Sequence, residues 1–280
     1  MTLRGKVAIV GIGELPTRRV IPGRTMYGLC AEAARIAIAD AGLTKQDING
    51  LVTDGTNALP GAMAEYIGIR PTFATGVSMY GASGASATTA AALAISGGLC
   101  DTALVVMGFS RSDAARGGGA VGSVQAEWEA PYGPAVGAGT GYALMYKRHM
   151  HEYGTTQEQM AKLAADQRFN ALENENAVFH GQPMSAQDVL DSRYVNYPLR
   201  LLECVMPCDG AAALIMTRAD RAKSMPNRPV YLLGAGMEQG SVSIWQTDRI
   251  TTTPVKVSAP RAFQMSGYGP GDMQFAEFYD

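Results

Sequence analysis

The alternation of apolar and polar positions opens with residues 6–10 (KVAIV), a short β-branched run that predicts a strand, closed by a turn at Gly11-Ile12-Gly13. That glycine pair lacks the third glycine of a dinucleotide-binding fingerprint, and no helix follows it at once, so it reads as the end of a strand. Met26, Leu29, Ala33, Ile36 and Ala37 then recur at helical spacing and predict a helix over 25–41, with Gly42 at its C-cap. A strand over 48–52, a turn at Asp54-Gly55, a short helix over 62–68 and an extended segment over 71–79 follow.

The stretch 76–110 (GVSMYGASGASATTAAALAISGGLCDTALVVMGFS) breaks this amphipathic pattern. A turn, Tyr80-Gly81-Ala82-Ser83-Gly84, opens a helix built almost wholly of Ala, Ser, Thr and Leu. The helix ends at Gly97-Gly98, and a strand over 103–107 follows. Small side chains on every face let neighbouring backbones approach, so the pattern predicts a helix buried between layers. Its first N–H groups lack helical partners and carry partial positive charge, which makes its N-terminus a place for a developing anion. The order to this point, β-α-β-α-β-α-β, predicts a sheet with helices on both faces.

Residues 110–141 hold Arg116-Gly117-Gly118-Gly119 and a cluster of Gly, Pro and aromatics around Trp128, Tyr132 and Pro134, and predict a long irregular excursion of the kind that carries function. Helices are predicted over 142–153, 156–171 and 185–192. Thr155 or Thr156 caps the second, and Ser185 with Asp188 caps the third. Cys208-Asp209-Gly210 reads as a structural turn into a strand over 211–216, and a short helix over 219–224 follows. Pro226-Asn227-Arg228-Pro229 is the best linker in the chain. After it a strand over 230–233 ends in Gly234-Ala235-Gly236, echoing residues 6–13, with a helix over 255–265 behind it: a hint of internal duplication. Residues 272–280 (DMQFAEFYD) predict a short strand with a polar end, where the chain stops as if in mid-repeat.

Composition narrows the function. The 280 residues suffice for one large or two modest domains. Only 17% are charged and 33 are glycine, against about a quarter charged in ordinary domains, which points to buried interfaces, subunit contacts included. A net charge of −2 gives no footprint for nucleic acid. No apolar run approaches the roughly 18 residues of a membrane span, and no secretory segment opens the chain. Cys30, Cys100, Cys204 and Cys208 lack metal-ligand spacing and read as reduced thiols of a cytoplasmic protein, with no metal site expected.

The order VAIVGIGELPTRR, the whole of 76–108, MPCDGAAALIMT and FAEFYD resembles the thiolase superfamily, most closely its lipid-transfer-protein branch, the sterol-carrier-protein-type thiolases. The resemblance covers essentially the whole chain. It implies an α/β, thiolase-like αβαβα layered fold with its C-terminal half incomplete. Residues 1–225 would form the N-terminal half, with an inserted loop region at about 110–200, and 226–280 the start of a truncated C-terminal half. Family thiolases carry a nucleophilic Cys in a Cys-Ala-Ser-Gly-like turn, and here the matching turn is Gly81-Ala82-Ser83-Gly84, so Gly81 stands at the nucleophile position. Ser83 is either a nucleophile or an N-cap and packing residue. At the last strand, where the family has Asn or His, this chain has Tyr279, followed by Asp280. Val205 stands where the family's CoA sites use a serine, and Arg116 to Gly119 is either loose loop or a wall of a CoA channel. His149, His151 and His180 match no catalytic histidine of the family.

The resemblance extends to the thiolase-like aldolases of steroid side-chain degradation, which pair with an OB-fold/zinc-ribbon protein of the DUF35 type. It implies a retro-aldolase acting on a β-hydroxyacyl-CoA, a steroid or branched side-chain thioester, with no Cys nucleophile and no cofactor beyond the substrate's own CoA. Tyr279 and Asp280 would be catalytic, and Tyr80, Gly81 and Ser83 would contact substrate. Expected partners are acyl-CoA, a second copy in a homodimer and a DUF35-type protein, with no nucleic acid or membrane. The alternatives are an acetyl-CoA acetyltransferase or thiolase-type acyltransferase, and a non-catalytic lipid or acyl-CoA carrier. At Tyr279 itself, simple packing at a strand end competes with catalysis.

Overall fold

The computed structural model describes residues 2–55, 58–111, 138–241 and 244–278. In chain order the elements are β1 (Val7–Glu14), α1 (Met26–Asp40), β2 (Gly50–Asp54), α2 (Pro60–Ile67), β3 (Phe73–Val77), α3 (Ser83–Ser96) and β4 (Thr102–Phe109). They continue with α4 (Ala138–Tyr153), α5 (Gln157–Leu172), α6 (Ala186–Asp191), β5 (Tyr194–Asn196), β6 (Leu199–Arg200), β7 (Gly210–Arg218), α7 (Ala219–Ala222), β8 (Val230–Tyr231) and α8 (Val255–Ser266). The chain divides into two compact units. The first is Met1–Gly118 with Cys208–Glu238 and Val255–Asp280, and the second is Gly119–Pro207 with Gln239–Pro254.

The first unit is a mixed sheet of order β3-β2-β4-β7-β1-β8. β2 runs parallel to β3 and β4, and β7 lies antiparallel between β4 and β1. Helices cover both faces, as β-α alternation predicts. On one face Leu29, Ala33 and Ala37 of α1 pack with Val10, Leu104 and Ile215. On the other, Ala87, Ala91 and Ile95 of α3 pack with Val7, Val52, Val105 and Met216. Leu51, Val52 and Leu104 to Val106, in the middle strands, are all buried, which is why these strands read as continuous apolar runs rather than alternating ones.

Four expectations change. Gly11 and Gly13 do not close a turn. β1 runs on through them to Glu14, and α1 lies directly on their backbone. A Cβ on Gly11 would stand 2.6 Å from Ala37 O and 2.7 Å from Ala41 Cβ, and one on Gly13 would overlap Ala33 O. Gly234 and Gly236 meet α8 in the same way, their Cβ positions overlapping Ala262 O and Ser258 O. Secondly, Val230 and Tyr231 pair antiparallel with Ile9 and Ala8, at the edge of the first sheet rather than in a new one. Thirdly, residues 273–278 form no strand, because no ladder partner lies beside them among the described residues. Phe275 and Phe278 are exposed there. Fourthly, α3 is buried on its sheet face only, and Leu93 on the other side is 57% exposed.

The predicted linker at 226–229 is tied down: the Asn227 side-chain amide donates to Asp40 O at 2.7 Å and Val10 O at 3.3 Å. In the second unit, Thr156 caps α5 with a return bond from Gln159, and Ser185 caps α6 with Asp188. Ala143, Tyr146 and Leu199 form its small core. Glu152 on α4 holds the 239–254 segment, accepting from Arg249 at 3.2 Å and Thr251 Oγ1 at 3.1 Å as well as from Arg148 at 2.6 Å. Arg116 to Gly119, Trp128, Tyr132 and Pro134 lie outside the described residues.

Two outcomes are expected. Gly13→Ala should lower unfolding free energy by about 3 kcal/mol, because the clash is with helix backbone and cannot be relieved by a rotamer change. Gly61→Ala, in an exposed turn of α2 with open space at its Cβ, should cost nothing, and urea titration reads both. Separately, bonds from Arg148, Thr251 and Arg249 hold the Glu152 carboxyl down at about 2. A depressed carboxylate contributes stability above its unfolded pKa that is lost as pH falls through the folded value. The protection factor of the Thr252 N–H, which donates to Arg249 O at 3.1 Å, should therefore hold down to about pH 4.5 and fall from there toward pH 2. Glu152→Gln should give the fast exchange at pH 7.

Candidate active site

β2, β3 and β4 point the same way, so their C-terminal ends share one rim of the sheet, and α3 starts from it. At this rim β2 and β3 come within backbone contact: a Cβ on Gly76 would stand 2.7 Å from Gly55 Cα, and Gly55 N–H donates to Val77 O at 3.0 Å. Thr53 Oγ1 donates to Ala58 O at 2.6 Å and closes the loop beyond β2.

The turn before α3 is a 3-10 turn over Tyr80–Ala82. Tyr80 has φ +50°, a left-handed conformation uncommon for an aromatic residue, and its side chain is exposed. Gly81 is exposed beside it. Two serines pin the turn from inside the helix. Met79 N–H donates to Ser83 Oγ at 2.9 Å, and Ser86 Oγ reaches Met79 Sδ at 3.2 Å. Ser83 is itself buried, and its hydroxyl acts as the clasp of the turn. The turn also takes up N–H groups expected to face an anion: Ala82 N–H donates to Met79 O and Ser83 N–H to Tyr80 O. The helix start thus offers less to an oxyanion than its sequence implied.

The structure brings Tyr80, Gly81 and Ser83 together in this turn, whereas Tyr279 and Asp280 lie outside the described residues. Asp209, read from sequence as a turn residue, is fully buried at the same rim. Its Oδ1 accepts Arg111 N–H and its Oδ2 accepts Ile21 N–H, both at 2.6 Å, while its backbone pairs with Arg18. One carboxylate therefore ties the loop after β1 to the end of β4. A lone Asp-Gly before a strand carries no signal for this, since both bonded partners are distant in sequence. Val205 is exposed in the second unit.

No thiol is activated. Burial pushes Cys30 up to about 12 and Cys100 up to about 11, with Asp54 and Asp101 adding to the respective shifts. Burial raises Cys204 and Cys208 as well. All four are therefore protonated at neutral pH. Among the described residues no group of three or more His, Cys, Asp and Glu is placed to hold a metal ion. No described helix is long and apolar enough to cross a membrane. The large groove of the first unit, about 750 Å³, runs past Thr89 and Leu93, beyond the first turns of α3 and away from the Gly81 turn.

No family model matches the sequence. Curated relatives do. A 17-hydroxy-3-oxo-4-pregnene-20-carboxyl-CoA lyase of Mycobacterium tuberculosis is 30% identical over 99% of this chain and 76% of its own length. An acetyl-CoA acetyltransferase of Methanothermobacter thermautotrophicus is 32% identical over 98% of this chain and 73% of its own. The solved structure of an "Ltp2-ChsH2(DUF35) aldolase" superposes with a TM-score of 0.87 at 30% identity, covering 96% of this chain and 72% of that one. The chain belongs to the thiolase superfamily, in its lipid-transfer-protein branch. The Gly81 turn carries no side chain at position 81, and none of the four thiols is ionised at neutral pH. Iodoacetamide at pH 7 should accordingly label no cysteine of the native protein faster than a free thiol, read residue by residue by mass spectrometry.

Proposed function

We propose that this thiolase-superfamily protein is a carbon–carbon lyase that cleaves a β-hydroxyacyl-CoA by a retro-aldol step, on a steroid or otherwise branched side-chain thioester. The observation that carries the reading is Gly81 at the nucleophile position with all four thiols held protonated. Retro-aldol cleavage needs no covalent intermediate. A base removes the β-hydroxyl proton, the bond between the α- and β-carbons breaks, and its electron pair moves onto the thioester as an enolate. A ketone leaves, and the enolate takes a proton at the α-carbon. The protein must supply the base and a donor for the enolate oxygen. With two N–H groups of the α3 turn already engaged, that demand falls on side chains, and we assign one of the two tasks to Tyr279, as phenol donor to the enolate or through a relay to the base, with Asp280 orienting the phenol. Gly81 leaves room for a branched β-carbon, and Tyr80 and Ser83 form the wall of the turn beside it. CoA enters only as part of the substrate.

We also propose a homodimer through the edge strand β3, whose residues alternate exposed and half-buried, and a DUF35-type partner, as in the aldolase structure. We place the protein in the cytoplasm, a reading supported by four cysteines in thiol form. The acyltransferase reading keeps one support, the 32% identity to an acetyl-CoA acetyltransferase.

The test is incubation of the complex with a β-hydroxyacyl-CoA whose β-carbon is tertiary. Ketone and shortened acyl-CoA should appear in equal amounts, and Tyr279→Phe should lower kcat by about 10²–10³-fold. A covalent acyl adduct by intact mass, with no ketone, would replace this reading with the acyltransferase one.

A further inference from the structure

The second unit holds a groove of its own, about 440 Å³, lined by Leu144, Lys147, Arg148, His151, Ile244 and Ile250. No residue assigned to the reaction lines it. The groove arises because α4 uses two sides. Ala143, Tyr146 and Met150 pack into the small core, whereas Leu144, Lys147, Arg148 and His151 fall at i, i+3, i+4 and i+7 on another face of the helix. The facing wall is the 239–254 segment, which contributes Ile244 and Ile250, both half-buried. Turn bonds hold that wall in shape: Thr247 N–H donates to Ile244 O at 3.2 Å and Ser241 Oγ to Gln246 O at 2.7 Å. Arg249 and Thr251 pin it to Glu152 of α4. The groove is thus preformed, and its volume falls in the range of small-molecule sites, roughly 300–1,000 Å³.

The charges in this lining do not balance. It holds three basic residues and no acidic one. Arg148 is matched, since it donates to Glu152 Oε1 at 2.6 Å, and the same carboxylate also takes Arg249. Lys147 is not. Its Nζ stands 4.5 Å from the centre of the Tyr197 ring, which holds the ammonium in place without cancelling its charge, and it forms no ion pair among the described residues. His151, one turn further along α4, has no acidic partner among the described residues either. Beside these groups the walls are aliphatic. We propose that this groove binds a small apolar carboxylate, with its tail against Leu144, Ile244 and Ile250 and its carboxylate on Lys147. The unmatched ammonium sets the sign of the ligand, and the aliphatic walls set its body. The proposal is independent of the lyase reading.

The test is calorimetric titration of the full chain with hexanoate, octanoate and decanoate. Affinity should rise about three- to fourfold for each added methylene, as burial in an apolar groove requires. Lys147→Ala should weaken decanoate about tenfold, and Lys147→Arg should restore it. Leu144→Gln, at a position already 38% exposed, should flatten the dependence on chain length and leave the melting temperature unchanged. Lys162→Ala removes an equal charge from α5, where Lys162 pairs with Asp166, and should change nothing. Decyltrimethylammonium, with the same tail and the opposite charge, should not bind. No binding of decanoate, an affinity indifferent to chain length, equal weakening by Lys162→Ala, or binding of the cation as tight as that of decanoate overturns the inference.

Discussion

The backbone of α1 lies against the backbone of β1, and most of the first unit depends on that contact. It exists because Gly11 and Gly13 carry no Cβ and because Ala33, Ala37 and Ala41 present methyl groups and carbonyls toward them. Close backbone approach replaces the interdigitation of large side chains, so the fit tolerates no added atom. The same device returns at Gly234 and Gly236 under α8, where Ser258, Ala262 and Ser266 take the places of the alanines. In both places a Gly-x-Gly segment lies against helix backbone, α1 over Gly11 and Gly13 and α8 over Gly234 and Gly236. The same economy shapes α3, whose Ala87, Ala91 and Ile95 sit flush on the central strands.

The turn at the head of α3 is the third use of a missing side chain, and here it bears on chemistry. A cysteine at Gly81 would stand at a helix start, the setting that lowers a thiol pKa. Without it, the hydroxyls of Ser83 and Ser86 secure the turn, and two of its N–H groups close on the turn itself. Asp209 gives the rim its rigidity from the other side. A buried carboxylate is stable only when its oxygens are bonded, and the two N–H groups it accepts come from the loop after β1 and the end of β4, which Ser110 Oγ joins a second time by donating to Arg24 O.

Much of the fold was legible along the chain. The helical spacing of Met26 to Ala37, the Gly/Ser turn before α3 and the capping pair Ser185–Asp188 are local signals, and local hydrogen bonding realises each of them. The site was legible in part. Tyr80, Gly81 and Ser83 are neighbours in sequence and remain neighbours in the turn, whereas Asp209 contacts Ile21 across 188 positions and Arg111 across 98, and no local pattern announces such bonds.

Residue type at single places thus accounts for most of the helices, the central strands, the small-residue helix and the lack of a side chain at Gly81. Tertiary structure decided the rest. It ran β1 through a glycine pair that reads as a turn, since only the arrival of α1 explains why those residues have no side chain. It left residues 273–278 without strand structure, since a strand needs a partner and not merely a propensity. It set the Ser83 hydroxyl as acceptor of the Met79 N–H, and made Asp209, read as a turn residue, the tie between two loops. In each case the deciding contact joins segments that folding alone brings together.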